Sequence, residues 1–106
     1  AMLTLKTIAL TRIITRNAYI PATTALGSLD KDYRSDGLKC GANVLMPNFT
    51  PQPFRKLYAI YPGKRCVDEP VGLCDLLIDR VAKSLDRFID YSQAHSLKQK
   101  KEISYV

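Results

Sequence analysis

Leu5, Ile8, Ala9 and Ile13, with Leu10 and Ile14 beside them, recur at helical spacing and predict an amphipathic helix from about Leu3 to Arg16. Thr4 is the only capping residue near its start. After Asn17 the period changes. Ala18 to Ala25, AYIPATTA, predicts a strand, weakened by Pro21 because proline cannot donate to a ladder. Gly27 and Ser28 make a turn, and Ser28 or Asp30 caps a second helix with Asp32 in its first turn. Gly41 stops that helix near Lys39 by supplying a left-handed terminal residue. Asn43-Val-Leu-Met46, between a glycine and a proline, predicts a short buried strand. Pro47, Pro51 and Pro53 shape the following loop, and Pro53 opens a helix from about Phe54 to Ile60. The last element has the strongest pattern. Leu73 or Cys74, Leu77, Ile78, Val81, Leu85, Phe88 and Ile89 line one face of a helix reaching about Ser92, with Asp75, Asp79, Arg80, Lys83, Asp86, Arg87 and Asp90 opposite. Residues 95–106 read as a polar tail.

The order is helix, strand, helix, strand, helix, long helix, and each strand leads directly into a helix. That alternation predicts an α/β fold built from parallel β/α units. Two parallel strands do not make a free-standing sheet, because parallel sheets are buried on both faces. The chain therefore reads as a fragment of a parallel (β/α)8 barrel of the TIM type: the last two β/α units plus a carboxyl-terminal helix. Ala1 ahead of Met2 reads as a cloning remnant and points to a longer parent. In such a fragment Ile20, Ala22, Val44 and Met46 form apolar inner faces with no barrel to cover them. Exposed edges and apolar faces recruit other chains, so the isolated piece is expected to form a homo-oligomer.

Composition changes this picture little. The chain has 106 residues, 46% hydrophobic and 25% charged, which fits one folded domain with a thin margin of stability. The net charge of +6 is spread along the sequence, apart from Lys98, Lys100 and Lys101 in the tail. No strand interleaves aromatic and basic residues, so nucleic acid is not the expected partner. Cys40, Cys66 and Cys74 are odd in number and form no C-x-x-C pair, which points away from a disulfide framework and toward a reduced, cytoplasmic setting. They are weak metal ligands, because the single histidine, His95, lies in a late polar stretch, and no metal site is expected. No apolar run reaches the ~18 residues of a membrane span, and no signal-peptide pattern opens the chain.

In a β/α barrel the chemistry sits at the carboxyl ends of the strands. Thr23 and Thr24 lie at one such end, and Met46, Pro47 and Asn48 at the other. Two adjacent hydroxyls there can donate to an anion, or can close the strand by bonding to a backbone group.

The segments IPATTALGSLD and LKCGANVLMPNFTP, followed by RKLYAIYPGK, resemble the carboxyl-terminal region of radical S-adenosylmethionine enzymes of the HydE type. These are maturases that help assemble the diiron site of [FeFe]-hydrogenase. Biotin synthase shares the region more loosely, as the biotin and thiamin synthesis associated (BATS) domain. The resemblance runs from residue 3 to about 93, and its most specific parts are PATTALG, GANVLMPN and the two tyrosines of LYAIYPGK. It implies a barrel around a large cavity. Thr23 and Thr24 would bind a carboxylate or other anion of a small-molecule substrate, Met46 would line the cavity, and Tyr58 and Tyr61 would reach into it.

The resemblance also implies a [4Fe-4S] cluster and S-adenosylmethionine in the full-length enzyme. That cluster requires three cysteines in C-x-x-x-C-x-x-C spacing, which this sequence lacks. The chain alone is therefore expected to carry no cofactor and no catalytic residue, and to be inert. Two alternatives stay open: the matching fragment of a biotin synthase-like enzyme, and a small basic binding module.

Overall fold

A computed structural model of the chain describes residues 1–64, 67–68 and 72–96. Cys66 and the basic run 98–101 lie outside the described residues. The fold is mixed α/β: helix α1 (Met2–Thr15), strand β1 (Pro21–Ala22), α2 (Thr24–Gly27), α3 (Arg34–Lys39), β2 (Val44–Leu45), a 3₁₀ helix (Gln52–Tyr58) and α4 (Leu73–Ser84). The two strands are parallel, as the alternating order predicts.

Helix α1 starts at Ala1 with no side-chain cap. The hydroxyls of Thr7, Thr11 and Thr15 each donate to the carbonyl four residues back, at 2.9, 2.7 and 2.7 Å, so threonine is accommodated along the helix. It stops at a tight turn, with Arg16 at φ 58 and ψ −64 and the Asn17 amide donating to the Thr15 carbonyl at 2.7 Å. Only part of the apolar stripe is covered. Ile8 is buried and Leu5 packs beside it, whereas Ile13 and Ile14 stay 72% and 79% exposed.

The strands are shorter than the sequence predicts. Before β1, the Ile20 carbonyl accepts from the amides of Asn43 and Val44, and the Ile20 amide donates to Asn43 Oδ1 at 2.8 Å. Pro21 follows within the strand, on an edge where its missing donor costs nothing. The register pairs Pro21 with Val44 and Ala22 with Leu45. Side chains alternate across a sheet, so this register separates residues that the sequence alone seemed to group. Ile20 and Ala22 are buried, with Leu45 packed on the same core. Pro21, Val44 and Met46 fall on the other face, and Met46 is 48% exposed. The expectation that Ile20, Ala22, Val44 and Met46 share uncovered inner faces is thus corrected: Ile20 and Ala22 pack under the helices.

That core joins Ile8, Ile20, Ala22, Leu26, Leu38 and Ala42, with Leu5, Ala18, Tyr33, Cys40, Leu45, Val81 and Leu85 around it. Gly37 makes the close approach of α3 possible, since a Cβ there would stand 2.9 Å from Leu26 Cδ2. Helix α3 ends as its sequence predicts. Gly41 has φ 120, its amide donates to the Leu38 carbonyl, and the Ala42 amide donates to the Gly37 carbonyl, the paired bonds of a Schellman stop.

Three helix boundaries differ from those predicted. The second helix is two pieces, because Thr23 starts α2 at the strand end and Asp32 starts a separate turn by accepting from the Arg34 amide at 3.0 Å. The helix expected over 54–60 is a 3₁₀ helix beginning at Gln52. Helix α4 stops at Ser84 rather than Ser92. Asp86 takes φ 54, and the amides of Asp86 and Arg87 donate to the Lys83 and Ala82 carbonyls, a Schellman stop without glycine. Among the described residues no helix is long and apolar enough to cross a membrane.

Candidate functional site

Because β1 and β2 are parallel and paired in register, their carboxyl ends open on one edge of the sheet. Thr23 and Met46 each lie one residue beyond the paired Ala22 and Leu45, on neighbouring strands whose backbones run roughly 5 Å apart. The structure therefore gathers Thr23, Thr24 and Met46 at one edge.

Thr23 is the N-cap of α2. Its Oγ1 accepts from the Leu26 amide at 3.2 Å, and its backbone at φ −71 and ψ 160 is extended, the usual geometry for a cap. Of the two roles open to the threonines, the backbone bond is made here. A hydroxyl that accepts one bond still has its proton to donate. Thr24 is the first residue of α2 and half-buried; its carbonyl accepts from Ser28 Oγ at 2.8 Å, and its hydroxyl has no partner among the described residues.

Two buried arginines that no sequence motif singles out lie in the segments that follow the two strands. Arg34 is 4% exposed and its guanidinium forms a fork with the Asp32 carboxylate: Nε donates at 3.1 Å to both oxygens and Nη2 donates to Oδ2 at 2.6 Å. The arginine stem lies against Gly27, where a Cβ would stand 2.7 Å from Nε. Arg55 is 6% exposed; its Nε donates to the Thr50 carbonyl at 2.8 Å and its Nη2 to the Asn48 carbonyl at 3.3 Å. Asn48 Oδ1 in turn accepts from the Thr50 amide at 3.1 Å. The signal that could have found Arg34 was its spacing from Asp32 next to a glycine turn; for Arg55 no local pattern exists.

Tyr58 ends the 3₁₀ helix. The residue is 57% exposed, its hydroxyl has no partner among the described residues, and its carbonyl accepts from Lys64 Nζ at 2.7 Å. Tyr61 is half-buried, with Lys64 Nζ 5.9 Å from its ring centroid. The turn after it approaches the carboxyl end of α2 at Gly63, where a Cβ would stand 3.7 Å from the Ser28 carbonyl oxygen. The turn carrying Tyr61 is thus set beside the end of α2. Among the described residues no three His, Cys, Asp or Glu side chains are grouped to hold a metal ion. Cys40 is a free, half-buried thiol at the end of α3.

No protein-family model matches the chain. Over 85 residues, 80% of its length, the chain is 49% identical to the [FeFe] hydrogenase maturase subunit HydE of Thermotoga maritima. It spans 24% of that curated relative, about a quarter of its length. The resemblance carried by PATTALG and GANVLMPN is therefore real: the chain is similar to a part of a HydE maturase, and a carboxyl-terminal part is consistent with the match.

Proposed function

We propose that the chain is the substrate-cavity portion of a radical S-adenosylmethionine maturase of the HydE type, acting in assembly of the [FeFe]-hydrogenase diiron site. The observation that carries this reading is the 49% identity across 80% of the chain, which includes the strand-end segments. It favours the maturase over a biotin synthase-like relative and over a basic binding module. The parallel pair with a helix after each strand fits the last β/α units of a barrel, whose remaining strands would come from the rest of the protein.

In this role Thr24 donates its hydroxyl proton to an anionic group of a small substrate, and Thr23 donates its own while its oxygen holds α2 in place. Met46 supplies a polarisable apolar wall on the neighbouring strand. Tyr61 and, earlier in the same segment, Tyr58 close the side of the cavity. The cysteines of this chain do not fit a [4Fe-4S] cluster: Cys40 ends a helix, and 26 and 8 positions separate Cys40, Cys66 and Cys74. A cluster and S-adenosylmethionine, which supply radical chemistry when bound, would be held by residues outside this chain.

The test is activation of apo-hydrogenase by a longer protein that joins this sequence to a cluster-binding part, with Thr23→Val and Thr24→Val made together. Activation by the parent protein and a drop of about fivefold to a hundredfold in the double variant are expected, in line with the loss of about 1–3 kcal/mol of substrate binding. Full activation by the double variant overturns the anion-binding role. A parent that loads its cluster and never activates hydrogenase overturns the function.

A further inference from the structure

The buried charged side chains among the described residues are two arginines, and each donates into one strand-end loop. Arg34, through Asp32 and its packing on Gly27, fixes the segment that follows Thr23 and Thr24. Arg55, through the carbonyls of Asn48 and Thr50, fixes the segment that follows Met46. A buried guanidinium is costly unless its donors are met, so such residues hold their partners to one geometry. Neither arginine is part of the sheet ladder. Both lie after the carboxyl ends of the strands in their own β/α unit, the end where a barrel places its ligand.

We infer that Arg34 and Arg55 are a matched pair of positioning residues: Arg34 presets the threonine edge and Arg55 presets the Met46 loop, so that the substrate meets a rigid wall. The inference rests on the proposed cavity, and it adds residues that touch no substrate. The two loops are held by different groups: Arg34 donates to a carboxylate and packs on a glycine, and Arg55 donates to backbone carbonyls. Lysine keeps the charge and loses the planar fork, so it cannot replace either one.

Hydrogen–deuterium exchange on the intact chain tests the pairing directly. In Arg34→Lys the amides of Leu26, Gly27 and Ser28 should exchange about tenfold faster, while Thr50 keeps its protection. Arg55→Lys should free Thr50 and leave 26–28 unchanged. Unchanged exchange in both variants, or acceleration along the whole chain, overturns the inference. In the longer maturase each lysine variant should raise the substrate concentration needed for half-maximal hydrogenase activation by about tenfold, with the maximal rate largely kept, a split that simple loss of fold would not give. A fall in maximal rate alone overturns the positioning role. The Thr23→Val, Thr24→Val protein separates the two claims: if it activates normally while the exchange pattern holds, the cavity reading fails, and with it the claim that the loops are set for substrate.

Discussion

Arg12 Nε donates to the Gly41 carbonyl at 2.8 Å, and the same guanidinium donates through Nη1 to the Arg16 carbonyl at 2.5 Å. One side chain thereby ties together the carboxyl ends of α1 and α3, where helix dipoles favour positive charge. The contact needs a glycine. A Cβ on residue 41 would stand 2.7 Å from Arg12 Cβ and 2.8 Å from Cγ, at a φ of 120 that L side chains rarely adopt. Gly41→Ala should therefore lose about 1–3 kcal/mol of stability in urea melts, through backbone strain and a displaced Arg12. A loss no larger than that of a surface substitution would show that α1 is not fastened here.

Thr23 and Thr24 should separate when replaced one at a time. Thr23→Val removes the cap oxygen that accepts from Leu26 and should cost about 0.5–2 kcal/mol of stability. Thr24→Val removes a hydroxyl with no partner among the described residues and should leave the melting curve within about 0.5 kcal/mol of wild type. Equal losses at both positions would mean that Thr24 is also a structural hydroxyl.

Gly27→Ala probes the Arg34 fork from the other side. The new methyl group would occupy space held by Nε and Cδ, at 2.7 and 3.0 Å, and the arginine is buried beside a half-buried carboxylate partner. Overpacking of this kind costs about 1–3 kcal/mol. Thermal melts of Gly27→Ala and of Gly27→Ala with Arg34→Ala test the cause: the second change should recover none of the loss if the fork itself matters, and most of it if only volume matters.

Alkaline pH should weaken the fold. Partial desolvation and the hydrogen bond to Asp30 raise the Tyr33 hydroxyl above its usual 10.0, and the bond to Asp79 raises Lys83 above its usual 10.5. Both groups are raised on folding, so their contributions are complete below those values and are lost as pH climbs past them. Melting temperature should hold between pH 7 and 9 and fall above pH 10, and Tyr33→Phe should flatten part of that fall. A fall already complete by pH 9 would assign it to other groups.

Self-association is expected of the isolated chain. Ile13, Ile14, Leu57 and Ile60 are 72–79% exposed, alongside Phe49 at 82%, and such surface seeks a cover. Light scattering should show a dimer or larger species at micromolar concentration. A persistent monomer would show that these side chains are tolerated singly in water.

Much of this protein is written locally. The order of elements, the parallel β/α alternation and the stop at Gly41 follow from period and from glycine's access to positive φ, and PATTALG with GANVLMPN carried the likeness to the maturase. Other features were decided only when the chain packed. The split of the second helix depends on Thr23 capping at the strand end and on Asp32 starting a new turn, whereas Ser28 and Asp30 were equally good caps by sequence. The end of α4 uses Asp86 at positive φ, a conformation that no glycine or proline announces. The register Ala22 to Leu45 sent Ile20 and Ala22 to the helices and left Met46 on the open face, because a one-residue choice of pairing exchanges the faces of a strand. Arg34 and Arg55 look like any surface cation in the sequence. They became structural only as the chain packed, Arg34 through its fork with Asp32 and its stem against Gly27, and Arg55 through two carbonyls of the loop after Met46.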